Sequence, residues 1–117
     1  MIPRRMRVIL LDLLGDPSWA PALESPRAYV RLASPELWCE PGDATLVIDA
    51  RGKFESGVSL ARRLKAPRGA RLLVTEHETP AAHEIAYRAG VDGVIVMGLG
   101  EARHAGVVAE IRRREGT

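Results

Sequence analysis

The sequence predicts an α/β protein of three layers, with a five-stranded parallel sheet between two layers of helix. Three observations point there. From Thr45 onward, short apolar runs alternate with stretches of helical period, the pattern of strands joined by the crossovers that parallel neighbours require. Several runs are apolar throughout, as expected of strands covered on both faces. With 117 residues, 46% of them hydrophobic, the chain suffices for one domain with one modest core.

The first strand, Arg7 to Leu13, is continuously apolar until Asp12. The stretch after it, DPSWAPALESP, stands where a crossover helix belongs, yet carries Pro17, Pro21 and Pro26. Pro21 removes a backbone donor and clashes with the preceding turn, so about two turns of helix at most fit there. Ala28 to Ala33 alternates, with Ala28, Val30 and Leu32 on one face and Tyr29 and Arg31 on the other, which predicts a half-exposed edge strand. Ser34 with Pro35 opens a short second crossover through Trp38, ended by Pro41 and Gly42. Thr45 to Ile48 is the third strand, and it runs into Asp49.

Ser56 is positioned to cap a helix bearing Val58, Leu60, Ala61 and Leu64, which Pro67 and Gly69 stop. Ala70 to Thr75 is the fourth strand. Thr79 and Pro80 open a helix with Ala82, Ile85, Ala86 and Ala89 inward and Gly90 at its end. Gly93 to Met97 is the fifth strand, and a last helix from about Glu101 buries Ala105, Val108 and Ile111. Its Arg112 to Arg114 complement the helix dipole. The edge-like second strand and apolar first and third strands fit a flavodoxin-like order, 2-1-3-4-5. That order sets Asp12 and Asp49 across the topological switch point, where ligands bind in open α/β sheets.

Composition removes several function classes. Cys39 is the only cysteine, so there is no internal disulfide framework and no multi-cysteine zinc site, in keeping with a reducing cytoplasm. Arginines before an apolar run at the N-terminus suggest a signal peptide. Asp12 interrupts that run and no small-residue cleavage site follows, so a buried strand is the better reading. No stretch has the length of a membrane span. The net charge is +2, and the arginines at 4–7, 62–71 and 112–114 are spread over several elements, which argues against a nucleic-acid surface.

The stretch TLVIDARGKFESG, with LLVTE and GVDGVIVMG after it, resembles the receiver domain of bacterial two-component response regulators, with the best match from Leu46 to the C-terminus. The resemblance implies a CheY-like fold, Asp49 as phosphoacceptor candidate, Thr75 as switch candidate, the Ser56-Gly57 pair as the loop feature before the next helix, and Asp12 with Asp49 as carboxylates for Mg²⁺. The departures are equally specific. Asp12 is followed by Leu13 and not by a second acid, Met97 occupies the position of the family's lysine, and Val94 that of its aromatic residue. Phosphoryl transfer relies on positioning and on charge supplied by metal and cation, so these losses predict slow or absent phosphorylation.

Other readings of these residues stand beside that one. Asp49 can serve as a loop cap and Asp12 as an acceptor of backbone hydrogen bonds. Arg51 and Lys53 could supply the missing cation, although a solvated loop charge is the simpler reading. His77 and His83, with Glu76, Glu78 and Glu84, match no helix-borne metal motif and read as surface. Gly98 and Gly100 form too little of a phosphate cradle. Trp19 and Trp38 either cover sheet faces left bare by short crossovers or form a partner surface.

The expectation is a stand-alone receiver-like regulatory domain over residues 1–117, without an output domain. It is not an enzyme, and it works in the cytoplasm through a protein partner or a second copy of itself, with degenerate phosphorylation machinery. The rivals are a working phosphoacceptor using Asp49 with Mg²⁺, a small-ligand-binding flavodoxin-like domain, and a nucleic-acid module.

Overall fold

The computed structural model describes residues 6–15, 19–25, 28–33, 44–64, 69–99 and 105–115. In chain order the elements are β1 (Met6–Asp12), a 3-10 helix (Ala20–Leu23), β2 (Ala28–Ala33), β3 (Thr45–Asp49), α1 (Phe54–Arg63), β4 (Arg71–Thr75), α2 (Pro80–Arg88), β5 (Gly93–Val96) and α3 (Ala105–Glu115). The strands form one parallel sheet in the order β2-β1-β3-β4-β5, as the sequence predicts. The expected second crossover, with Trp38 and Cys39, lies outside the described residues.

Period-two alternation divides the apolar strand residues between two cores. Ile9, Leu11, Leu46, Ile48 and Leu73 face α1 and α2, where Val58, Leu60, Ala61, Ala86 and Ala89 meet them. Val8, Leu10, Val47, Leu72 and Val74 face the other way, onto Trp19, Leu23, Val107 and Ile111. Each fully buried leucine contributes about 1.5–3 kcal/mol, so β1 and β3, apolar on both faces, anchor the sheet. At the β2 edge, burial fades along the strand from Ala28, which is covered, to Leu32, which is exposed.

Among the described residues the first crossover holds a single 3-10 turn, Ala20–Leu23, with Pro21 in its first positions. Trp19 is buried beside it and covers the sheet face that a longer helix would cover. The turn ends with unsatisfied carbonyls, and Arg112 from α3 reaches them, donating from Nη1 to Leu23 O (3.1 Å) and from Nη2 to Glu24 O (3.0 Å) and Ala22 O (3.4 Å). Arg112 thus clamps the crossover. Arg113 and Arg114 instead pair with Glu110 on their own helix. Arg112→Met keeps the stem and removes the donors; we expect it to lower unfolding free energy by about 1.5–3 kcal/mol, read from urea denaturation. Arg113→Met, on an exposed pair, should leave the urea midpoint essentially unchanged.

Capping signals hold at α2, where the Thr79 hydroxyl accepts from Ala82 N–H and Gly90 follows the helix at φ 103°, but Ile85, expected inward, is exposed while Ala86 and Ala89 are buried. They fail at α1. Ser56 does not cap that helix: the helix starts at Phe54, its N-cap is Lys53 without a side-chain hydrogen bond, and Ser56 lies exposed in the first turn. The cause is an early chain reversal. Lys53 N–H donates to Ala50 O (3.0 Å), closing a turn in which Gly52 takes φ 72°, so the helix can begin sooner, with Lys53 and not Ser56 at its cap. The far end of α1 is held by Arg71, whose Nη1 donates to the carbonyls of Ala61 and Leu64, both at 2.8 Å.

Candidate functional site

Parallel register brings Asp12 and Asp49 to the same level at the carboxyl ends of β1 and β3. Val74 of β4 lies level with Asp49, and Thr75 follows it. Leu13 N–H bonds to Asp49 O and Ala50 N–H to Val74 O, which continues the ladders past the strand ends and fixes the backbone beneath the side chains. Asp49 is fully buried.

Its carboxylate is held by Arg51. Arg51 Nε donates to Asp49 Oδ1 (2.9 Å) and Nη2 to Oδ2 (2.8 Å), a bidentate ion pair whose side chains are 2% and 0% exposed respectively. The backbone N–H of Arg51 adds a longer bond to Oδ1 (3.3 Å), and Nη1 donates to Gly98 O (2.8 Å) after β5. Reading Arg51 as a solvated loop charge is therefore incorrect. Gly52 turns the chain so that the guanidinium folds back over the strand end, and the buried acid supplies a charged partner that offsets the cost of desolvating it. Lys53, two residues on, is exposed as expected.

The remaining candidates surround this pair. Asp12 Oδ1 accepts from the N–H groups of Leu14 (3.0 Å) and Gly15 (3.1 Å), closing the turn after β1. Met97 is buried in the core on the α3 side of the sheet, and its N–H bonds to Thr75 O. Val94 packs half-buried on the opposite core. Thr75 is buried, and its hydroxyl donates to Glu76 Oε1 (3.3 Å) and accepts from His77 N–H (3.1 Å). Gly98 presents its carbonyl to Arg51, while Gly100 lies outside the described residues. Gly57 and Ser56 sit within α1 and not in the loop before it.

Glu76 ties a third loop to the site, since its Oε2 accepts from Gly52 N–H (2.7 Å). Burial raises its pKa, but backbone hydrogen bonds from Glu76 and Gly52, with His77 and the Thr75 hydroxyl, outweigh that and bring it below the ordinary 4.5. A lowered carboxylate stabilises the fold above its unfolded pKa, and that contribution disappears as pH falls through the folded value. Glu76→Gln should therefore flatten the loss of stability below about pH 4.5, measured as urea midpoints across the acid range. His77 stacks edge-on against Phe54 at 5.2 Å, and its carbonyl meets His83 Nε2 at 2.9 Å. Among the described residues no group of three His, Cys, Asp or Glu side chains is placed to hold a metal.

Mg²⁺ needs several oxygen donors in near-octahedral array. Both Asp49 oxygens are directed at Arg51, and one oxygen of Asp12 is directed at backbone N–H groups. In this arrangement the residues do not fit the ion.

No protein-family model matches the sequence, and no curated protein matches it significantly. Among solved structures, the chain is similar to a response regulator from Thermotoga maritima, with a TM-score of 0.67 at 14% identity over 97% of this chain and 99% of that one. It is also similar to the isolated REC domain of RcsB from Salmonella enterica serovar Typhimurium in the apo form, with a TM-score of 0.57 at 16% identity over 93% and 84%. Among the described residues no helix is long and apolar enough to cross a membrane. The fold is that of response-regulator receiver domains, with an arginine folded over the acid that ends the third strand.

Proposed function

We propose that this protein is a receiver-like regulatory module that works by protein contact and not by accepting phosphate or catalysing a reaction. The bidentate Asp49–Arg51 pair carries this reading. A carboxylate attacks phosphorus with an oxygen lone pair, and here each oxygen faces a guanidinium N–H in a site closed to solvent. Attack requires the ion pair to open first, and no lysine follows β5 to compensate the charge, because Met97 is there. Signalling by contact needs surface, and Ile85, Tyr87, Val96 and Leu99 are apolar and exposed on α2, β5 and the loop after β5. A protein partner or a second copy would meet such a surface, and we place the module in the cytoplasm.

The test is intact-mass analysis after incubation with acetyl phosphate and Mg²⁺. We expect no gain of a phosphoryl group in the wild-type chain, with a phosphorylatable receiver as positive control. A gain that Asp49→Asn abolishes would instead identify a working phosphoacceptor in which Arg51 does the lysine's work.

A further inference from the structure

Building on that reading, we infer that Arg51 is the resident cation of this pocket, which therefore neither requires nor admits a divalent cation while the arginine is in place. Three carboxylates approach the strand ends, and each is engaged within the chain. Asp49 is clasped by Nε and Nη2 of Arg51, Asp12 Oδ1 closes its turn onto Leu14 and Gly15, and Glu76 bonds to Gly52 N–H and the Thr75 hydroxyl. A divalent ion would have to strip these donors and sit against a guanidinium that does not deprotonate in proteins. Charge repulsion at such distances, in a site of low dielectric, adds to that cost.

The arginine also does what a hydrated ion cannot. Its third nitrogen binds Gly98 O, so neutralising Asp49 and fixing the loop after β5 are one event. Leu99, next along, lies against Gly52, where an added Cβ would stand 3.5 Å from Leu99 Cδ2. The cation is thus carried by the chain itself and cannot exchange with solvent ions, and the same side chain holds the loop that bears an exposed leucine.

The experiment is a titration of the full chain with Mn²⁺, read as paramagnetic broadening of the Asp12 and Asp49 amides, together with urea denaturation with and without Mg²⁺. In wild type we expect no saturable broadening at those amides and no stabilisation by Mg²⁺. Arg51→Gln, which frees the acids, should gain saturable binding at least about tenfold stronger than any in wild type. Saturable broadening at Asp12 and Asp49 in wild type, or stabilisation by Mg²⁺, overturns the inference, as does a folded Arg51→Gln chain that gains nothing. Should Arg51→Gln fail to fold, the two wild-type measurements decide alone. Wild-type ion binding without phosphoryl gain would defeat this inference and leave the contact-module reading standing.

Discussion

Arg51→Ala is expected to lower the unfolding free energy by about 3–5 kcal/mol, the cost of leaving a buried carboxylate without its counterion. Against a typical total of about 5–15 kcal/mol, the variant should be marginally folded at 25 °C. Asp49 is inaccessible, so water cannot replace the guanidinium without local opening, and the carbonyl of Gly98 loses a donor in the same change. The double variant Asp49→Asn, Arg51→Met separates the pair's net worth from the penalty of an orphaned charge. Exchanging both members of a buried ion pair for neutral groups is often close to neutral, so the double variant should be more stable than Arg51→Ala. Urea melts of wild type, Arg51→Ala, Asp49→Asn and the double variant give the cycle. Additive losses in the two single variants would show that the two side chains do not interact.

The second large effect is expected at Gly57. Inside a solvent-exposed helix, Gly→Ala normally gains up to about 1 kcal/mol. Here α1 lies so close to the end of β3 that a Cβ on Gly57 would stand 2.3 Å from Ala50 Cβ and 3.2 Å from Leu73 Cδ1. Leu73 Cδ1 can turn aside, but Ala50 Cβ is fixed to its backbone, so helix or strand must move, and such overpacking costs about 1–3 kcal/mol, occasionally more. We expect Gly57→Ala to be destabilising by about 3 kcal/mol in urea denaturation. The displacement would also loosen the turn that carries Arg51. A stabilised Gly57→Ala variant would mean that α1 packs less closely than described.

The contrast between these residues shows what was legible in the sequence. Strand order and crossover positions follow from features that act locally and strongly: unbroken apolar runs in β1 and β3, Thr79-Pro80 before α2, and prolines in the first crossover. Asp12 and Asp49 could be set side by side from strand order alone. The burial of Arg51 was not legible in this way. In a single sequence, a loop arginine two residues beyond an acid reads as solvated, because burying a guanidinium is costly and nothing local reveals the bidentate partner that offsets the cost. The available signal was the run Asp49-Ala50-Arg51-Gly52. A glycine just after the arginine permits a left-handed turn, and that turn returns the side chain over its own strand end. Ser56-Gly57 misled for the same reason. Capping chemistry is local, whereas the need for glycine at 57 comes from Ala50, which is close in space only after α1 docks.

Arg51 clasps Asp49 through two side-chain hydrogen bonds, and hydrogen exchange of the Arg51 side chain by NMR at neutral pH measures that clasp. We predict a resolved Arg51 Nε–H signal that exchanges far more slowly than those of the exposed Arg62 and Arg88, and that collapses to their rate in Asp49→Asn. An Arg51 Nε–H that exchanges as fast as the exposed arginines in the wild-type protein would contradict the clasp, and with it the closed pocket on which the proposed function rests.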